Sequence, residues 1–162
     1  MQTSIFIDLI ILSSICFIFK KKRFHAVQYL YVYLIIVFLY CSFISVISDN
    51  LELWKVKEQI IPYIVFRVSE VILFPLVALW FIELFHLKSN KMYKITLISL
   101  FLLIPVLLQQ WLVYMKVFEY RHWEVYKTIL VWIIFYSTSV VTNYLVGKHL
   151  VKEGVINDSA PT

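Results

Sequence analysis

Arg67 and Glu70 stand three residues apart in the stretch FRVSEVILFP, residues 66–75, deep inside a long apolar run. Charges at that spacing project about 60° from one another on a helix and can pair. A charge at the centre of a bilayer costs about 2.5–3.5 kcal/mol on insertion scales, so such residues turn toward a bundle interior and find partners. Two chemistries follow from the pair. It either clasps helices together, or it forms a site that binds a polar ligand or relays protons. Pairing lowers the cost of burial without making the pair stabilising overall.

Depth counting adds neighbours. If the run crosses inward from Ile60, Arg67 lies seven residues further in, roughly 10 Å at 1.5 Å per residue. Gln109 and Gln110 come six and five residues before Met115 on a returning run, at roughly 8–9 Å from the same edge. Asp8 enters the first run near that edge, and Asp49 closes the second. Asp8, Asp49, Arg67, Glu70, Gln109 and Gln110 are therefore expected in one outer layer, with three carboxylates around one arginine. Pro75 is expected to kink its helix just past Glu70 and to free the carbonyl of Val71. Pro105 plays a similar part in a later run. Glu83 lies thirteen residues past Glu70, about 140° around the helix, and reads as an anchor at the inner interface beside His86. Asn143, with Ser137, Ser139 and Thr142, marks the last run as bundle-facing. The joint over residues 116–127 carries Glu119, Arg121, His122 and Glu124 among aromatics and is expected to cover the outer cluster.

The elements that must position these residues are read from composition. The chain has 162 residues, 62% of them hydrophobic and 15% charged; soluble domains average about 45–50% and about 25%. Five apolar runs cover residues 4–19, 27–47, 60–85, 95–115 and 128–146. A spanning helix needs about 20 mostly apolar residues, and backbone groups in lipid must bond within their own segment. The runs are continuous, which excludes an alternating barrel. The fold expected is an all-α polytopic transmembrane helix bundle of five spans over residues 1–147, with a short polar cytoplasmic tail over 148–162. The first run is short, so four spans and an interfacial N-terminal helix is the alternative. It carries Asp8 and has no basic leader, unlike a signal peptide. Lys and Arg in the joints number nine on one side and five on the other. The positive-inside bias then puts the N-terminus outside and the C-terminus in the cytoplasm of a plasma membrane. Trp54, Trp111 and Trp123 fall near the proposed outer interface, where amphipathic rings prefer to sit.

Many functions lack their motifs. The sequence has no P-loop, glycine-rich nucleotide fingerprint, serine nucleophile elbow or His-Glu-x-x-His, and no basic face for nucleic acid. Cys16 and Cys41 lie singly in apolar runs, without zinc-site spacing. No cofactor and no metal are expected. The order Arg23–Phe24, Ser48–Asp49, Leu53–Trp54, Phe74–Pro75, Trp80–Phe81 and His122–Trp123 resembles a family of small five-span membrane proteins of Bacillus-type bacteria. That resemblance implies fold and membrane location, and it brings no catalytic residues. The function expected is a non-enzymatic sensing or assembly component, in contact with the lipid bilayer and with a membrane-protein partner or a second copy. Alternatives are a homo-oligomeric channel or transporter subunit, and a small enzyme acting on a lipid or isoprenoid with Glu70 or Glu83 as base.

Overall fold

The computed structural model describes residues 2–20, 24–87 and 90–155. The chain is a helical bundle: α1 (Gln2–Phe19), α2 (Ala26–Ser45), α3 (Ile60–Val68), α4 (Phe74–Phe85), α5 (Lys91–Tyr114) and α6 (Val125–Lys152). A π turn over Val46–Asn50 extends α2, and a second over Ser69–Leu73 joins α3 to α4 in one rod. Four rods, Ala26–Asn50, Ile60–Phe85, Lys91–Tyr114 and Val125–Lys152, are long and apolar enough to cross a membrane. The helices outrun the apolar runs because flanking Lys and Tyr side chains continue a helix while their polar tips reach toward water. Lys21, Lys22, Arg23, Lys88 and the tail over 156–162 lie outside the described residues.

The first run forms a helix aligned with the bundle. Phe6 is fully buried and meets Trp111 edge-on near one end, while Phe17 meets Trp80 near the other. At 18 residues it measures about 27 Å, just short of the ~30 Å hydrocarbon core. It therefore stands beside the other rods and does not lie flat across one end.

Both mid-helix prolines leave a carbonyl without its helical N–H, and in each case a tyrosine from a neighbouring helix fills the gap. Pro75 frees Val71, as the sequence predicts, and the Tyr33 hydroxyl donates to that oxygen at 2.9 Å. The helix widens there: the Phe74 N–H bonds to the Ser69 carbonyl in the π turn. Pro105 sits inside α5 and leaves Phe101 unpaired in the same way; the Tyr136 hydroxyl donates to its carbonyl at 2.8 Å. Freed backbone groups in lipid must find such partners. A third link joins α2 to α6. The Gln28 amide donates to both the carbonyl and the side chain of Asn143, at 3.1 and 3.0 Å. Gly147 makes room for it, since a Cβ there would stand 2.9 Å from Gln28 Nε2. Asn143 and Ser139 face the bundle as expected, but Ser137 points outward and bonds back to Ile133.

The two joints at one end pair with each other. Short strands β1 (Trp54–Val56) and β2 (Phe118–Tyr120) form an antiparallel ribbon, with Trp54 opposite Tyr120 and Val56 opposite Phe118. Trp54 and Phe118 are buried and stacked at 4.9 Å, while Lys55 and Glu119 face out. The chain turns into β2 through a Schellman motif, with Lys116 in the left-handed region at φ 56° and the Val117 N–H bonded to Leu112. The sequence marks these stretches only as joints, because three-residue strands are too short to show an alternating pattern.

The proline–tyrosine pairs predict a thermodynamic cycle. Tyr136→Phe should lower stability by about 1 kcal/mol. In a Pro105→Ala background, where residue 105 regains its N–H, the same change should cost markedly less. Thermal or denaturant unfolding of the four proteins in one detergent measures the coupling.

Candidate functional site

α3 and the π turn place Arg67 and Glu70 at the ribbon end of the bundle. Arg67 donates from Nη1 to Glu70 Oε2 at 2.7 Å and from Nε to the Tyr63 hydroxyl at 3.1 Å. The two charges differ sharply in setting: the Glu70 side chain is 2% exposed and that of Arg67 is 41% exposed. Glu70 Oε1 is buried without a hydrogen-bond partner among the described residues, and the Cys41 thiol of α2 lies beside the carboxylate. Ser69 and Glu70 follow the buried Val65 and Phe66 of α3 by four residues each, so ordinary helical spacing sets both on the packed side of the rod.

Gln109 forms the other half of the layer. Its side-chain carbonyl accepts from Thr128 at 3.3 Å and from the Tyr120 hydroxyl at 3.4 Å. Thr128 in turn accepts from the Trp123 indole at 2.8 Å. Tyr40, on α2, is buried beside this layer, its ring against Phe74 and Trp132 and its hydroxyl next to the Gln109 amide. The joint over 116–127 thus reaches into the layer through Tyr120 and Trp123. Burial pushes the Tyr120 phenol up to about 12, only partly offset by its hydrogen-bonding contact with Thr128.

The layer differs from the sequence reading in membership. Arg67 and Glu70 are bonded, and Gln109 is buried near them, but Asp8, Asp49 and Gln110 are all exposed. Asp49 accepts from the Ser48 hydroxyl at 2.7 Å in a cleft beside the ribbon, also lined by Glu52 and Arg121. Asp8 lies on the side of α1 away from Phe6 and Ile10, the residues that pack. Among the described residues Arg67 pairs with one carboxylate, not three. Depth counting puts residues at a level, but the helical angle decides which of them face inward. Tyr40 was legible by that angle: Tyr29, Val32, Ile36, Tyr40, Ile44 and Ile47 form the buried stripe of α2 and its extension, at the three- and four-residue spacing of a packed face.

Glu83 is not an interface anchor. It is 3% exposed, accepts from the Tyr29 hydroxyl, and lies 3.8 Å from Lys20 Nζ, which also sits over the Trp80 ring at 4.7 Å. His86 bonds back to the Ile82 carbonyl at 2.9 Å. The end opposite the ribbon therefore has a polar cluster of its own. Among the described residues no three His, Cys, Asp or Glu side chains gather in a metal-binding arrangement.

No family model, no curated protein and no solved structure matches the chain. What the fold defines is a class: a helical membrane protein with four span-length rods and two buried polar levels.

Removing one member of the pair should be worse than removing both. Glu70→Ala leaves Arg67 without its counter-charge and should cost about 1–3 kcal/mol, discounted for the exposure of Arg67. Arg67→Leu with Glu70→Leu should recover most of that loss in detergent unfolding. At high pH the sign is set by Tyr120. An ordinary phenol ionises near 10, so between about 10 and 12 the unfolded chain has lost a proton that the native one keeps. The contribution of Tyr120 to stability is whole below that window and falls as pH rises through it. The tyrosinate absorbance of the wild type minus that of Tyr120→Phe should show the late midpoint.

Proposed function

We propose that this chain is a non-enzymatic component of a plasma membrane that assembles with another membrane protein or with a second copy. Its N-terminus is outside and its C-terminus is cytoplasmic, an orientation that rests on the excess of Lys and Arg in alternate joints. The reading agrees with the resemblance to small five-span proteins of Bacillus-type bacteria.

One observation carries it. Asp8 on α1 and Gln110 on α5 point outward from apolar helix faces, between side chains such as Ile5, Leu12, Leu107 and Tyr114 that are about half exposed or more. Contact between Phe6 and Trp111 puts them at the same level of the bundle. A carboxylate facing lipid at that depth is costly, and a partner helix with a donor relieves it. The interior carboxylates are already committed, Glu70 to Arg67 and Glu83 to Tyr29, which speaks for clasps over a catalytic base.

Asp8→Ala and Gln110→Leu should dissociate the native assembly while leaving the unfolding temperature of the single chain within a few degrees of wild type. Light scattering of the protein–detergent complex reads the first quantity, and a photo-crosslinker at position 8 in intact cells captures the neighbour. A wild-type protein that runs as one chain and yields no cross-linked species would sink the proposal.

A further inference from the structure

We propose that the groove between α4, α5 and α6 holds one acyl chain of an anionic phospholipid from the leaflet at the end opposite the ribbon. Lys94 and Lys148 would receive its phosphate. The site requires only that the chain lies in a bilayer, and it shares no residue with the assembly surface around Asp8 and Gln110.

The groove is apolar, with a volume of about 390 Å³. Phe81 and Phe85 of α4 line it, with Ile98 and Leu102 of α5 and Ile133 and Ser137 of α6. Two cross-bonds set α6 antiparallel against α5, Thr128 to Gln109 and Tyr136 to Phe101. The same register, carried away from the ribbon, puts Lys94 level with Asn143. Lys94 precedes Ile98 and Leu102 by four and eight residues, so the three share one face of α5. Its Nζ lies 4.8 Å from the centre of the Phe85 ring. Lys94 therefore stands at the mouth of the groove by contact as well as by spacing. From Lys94 to Leu102 is about 12 Å along the axis, within the ~15 Å depth of one hydrocarbon leaflet.

Charge selects the occupant. Lys148 is exposed and follows Ser137 by eleven residues, which sets it about 20° from Ser137 around α6. In the shared register it lies about 8 Å nearer the end than Lys94. Among the described residues neither lysine pairs with a carboxylate. The carboxylates described at this end are Glu83, buried against Tyr29 of α2, and Glu153 at the C-terminal cap of α6. The long lysine stems let both ammonium groups reach head-group level while their carbons stay on apolar surface. A phosphodiester there supplies the missing negative charge, and the tail below it runs into the groove. Basic pockets between spanning helices take anionic head groups in this way. An apolar helix docked on the same walls would leave both ammonium groups without a counter-charge.

The test uses the full chain purified in mild detergent and stripped of lipid, with native mass spectrometry counting lipid per chain. Wild type should hold one phosphatidylglycerol. It should bind phosphatidylcholine, with matched tails and no net charge, at least about fivefold more weakly, roughly what one lysine near an anionic head group contributes. Lys94→Gln with Lys148→Gln should abolish that preference. Ile133→Trp fills the groove at a position 44% exposed and should weaken both lipids. Lys55→Gln, at the ribbon end, should leave binding as in wild type. All three variants should unfold near the wild-type temperature, and the comparison of the two lipids needs no variant. Equal binding of the two lipids by wild type, wild-type occupancy in the double lysine variant or in Ile133→Trp, an equal loss in Lys55→Gln, or a second copy of the chain in place of the lipid adduct would each overturn the proposal.

Discussion

A hydrogen-bonding group inside this bundle has no water to turn to, and that constraint organises the structure. Lipid tails accept and donate nothing, so most buried polar groups are met by another part of the chain; among the described residues Glu70 Oε1 and the Trp54 and Trp132 indole nitrogens are exceptions. The two prolines make the point most directly. Each removes one N–H from a spanning helix, and in each case a tyrosine from a different helix supplies the missing donor. Backbone repair thus becomes tertiary contact: α2 is tied to the rod at Val71, and α6 to α5 at Phe101.

The same rule accounts for the polar levels. At the ribbon end Glu70 is met by Arg67, and Gln109 by Thr128 and Tyr120. At the opposite end Glu83 is met by Tyr29 and approached by Lys20. Between these levels the contacts are aromatic, with Tyr40, Phe74, Trp132 and Phe135 packed ring on ring. Interhelical hydrogen bonds in membranes are modest one by one, about 0.6 kcal/mol on average. Their directionality still selects one rotational setting for each helix, which apolar packing against equally apolar lipid does less well.

The ribbon closes one end by the same means. Two connections that would otherwise expose unpaired backbone at the interface pair with each other and bury Trp54 against Phe118. Tyr120 and Trp123 then carry hydrogen bonds down into the first polar level. The connection after α5 is therefore part of the bundle, not a loose cover.

The sequence by itself determined the solvent, the element type and the vertical position of the charges. A long apolar run in lipid has few options besides a helix, and depth follows from counting residues at a fixed rise. It also pointed to the Arg67–Glu70 contact, which is local to one helix, and to the freed carbonyl at Val71. Only the tertiary structure decided which residues at a given depth face one another. Asp8 and Gln110 stand near that level but face outward, Asp49 lies eight residues beyond Cys41 in the cleft beside the ribbon, and Tyr40, Thr128 and Trp123 entered the layer instead. The reason is geometric: rise along a helix is additive and nearly independent of sequence, whereas the azimuth of each helix is set by packing against all the others, and a single π turn resets it.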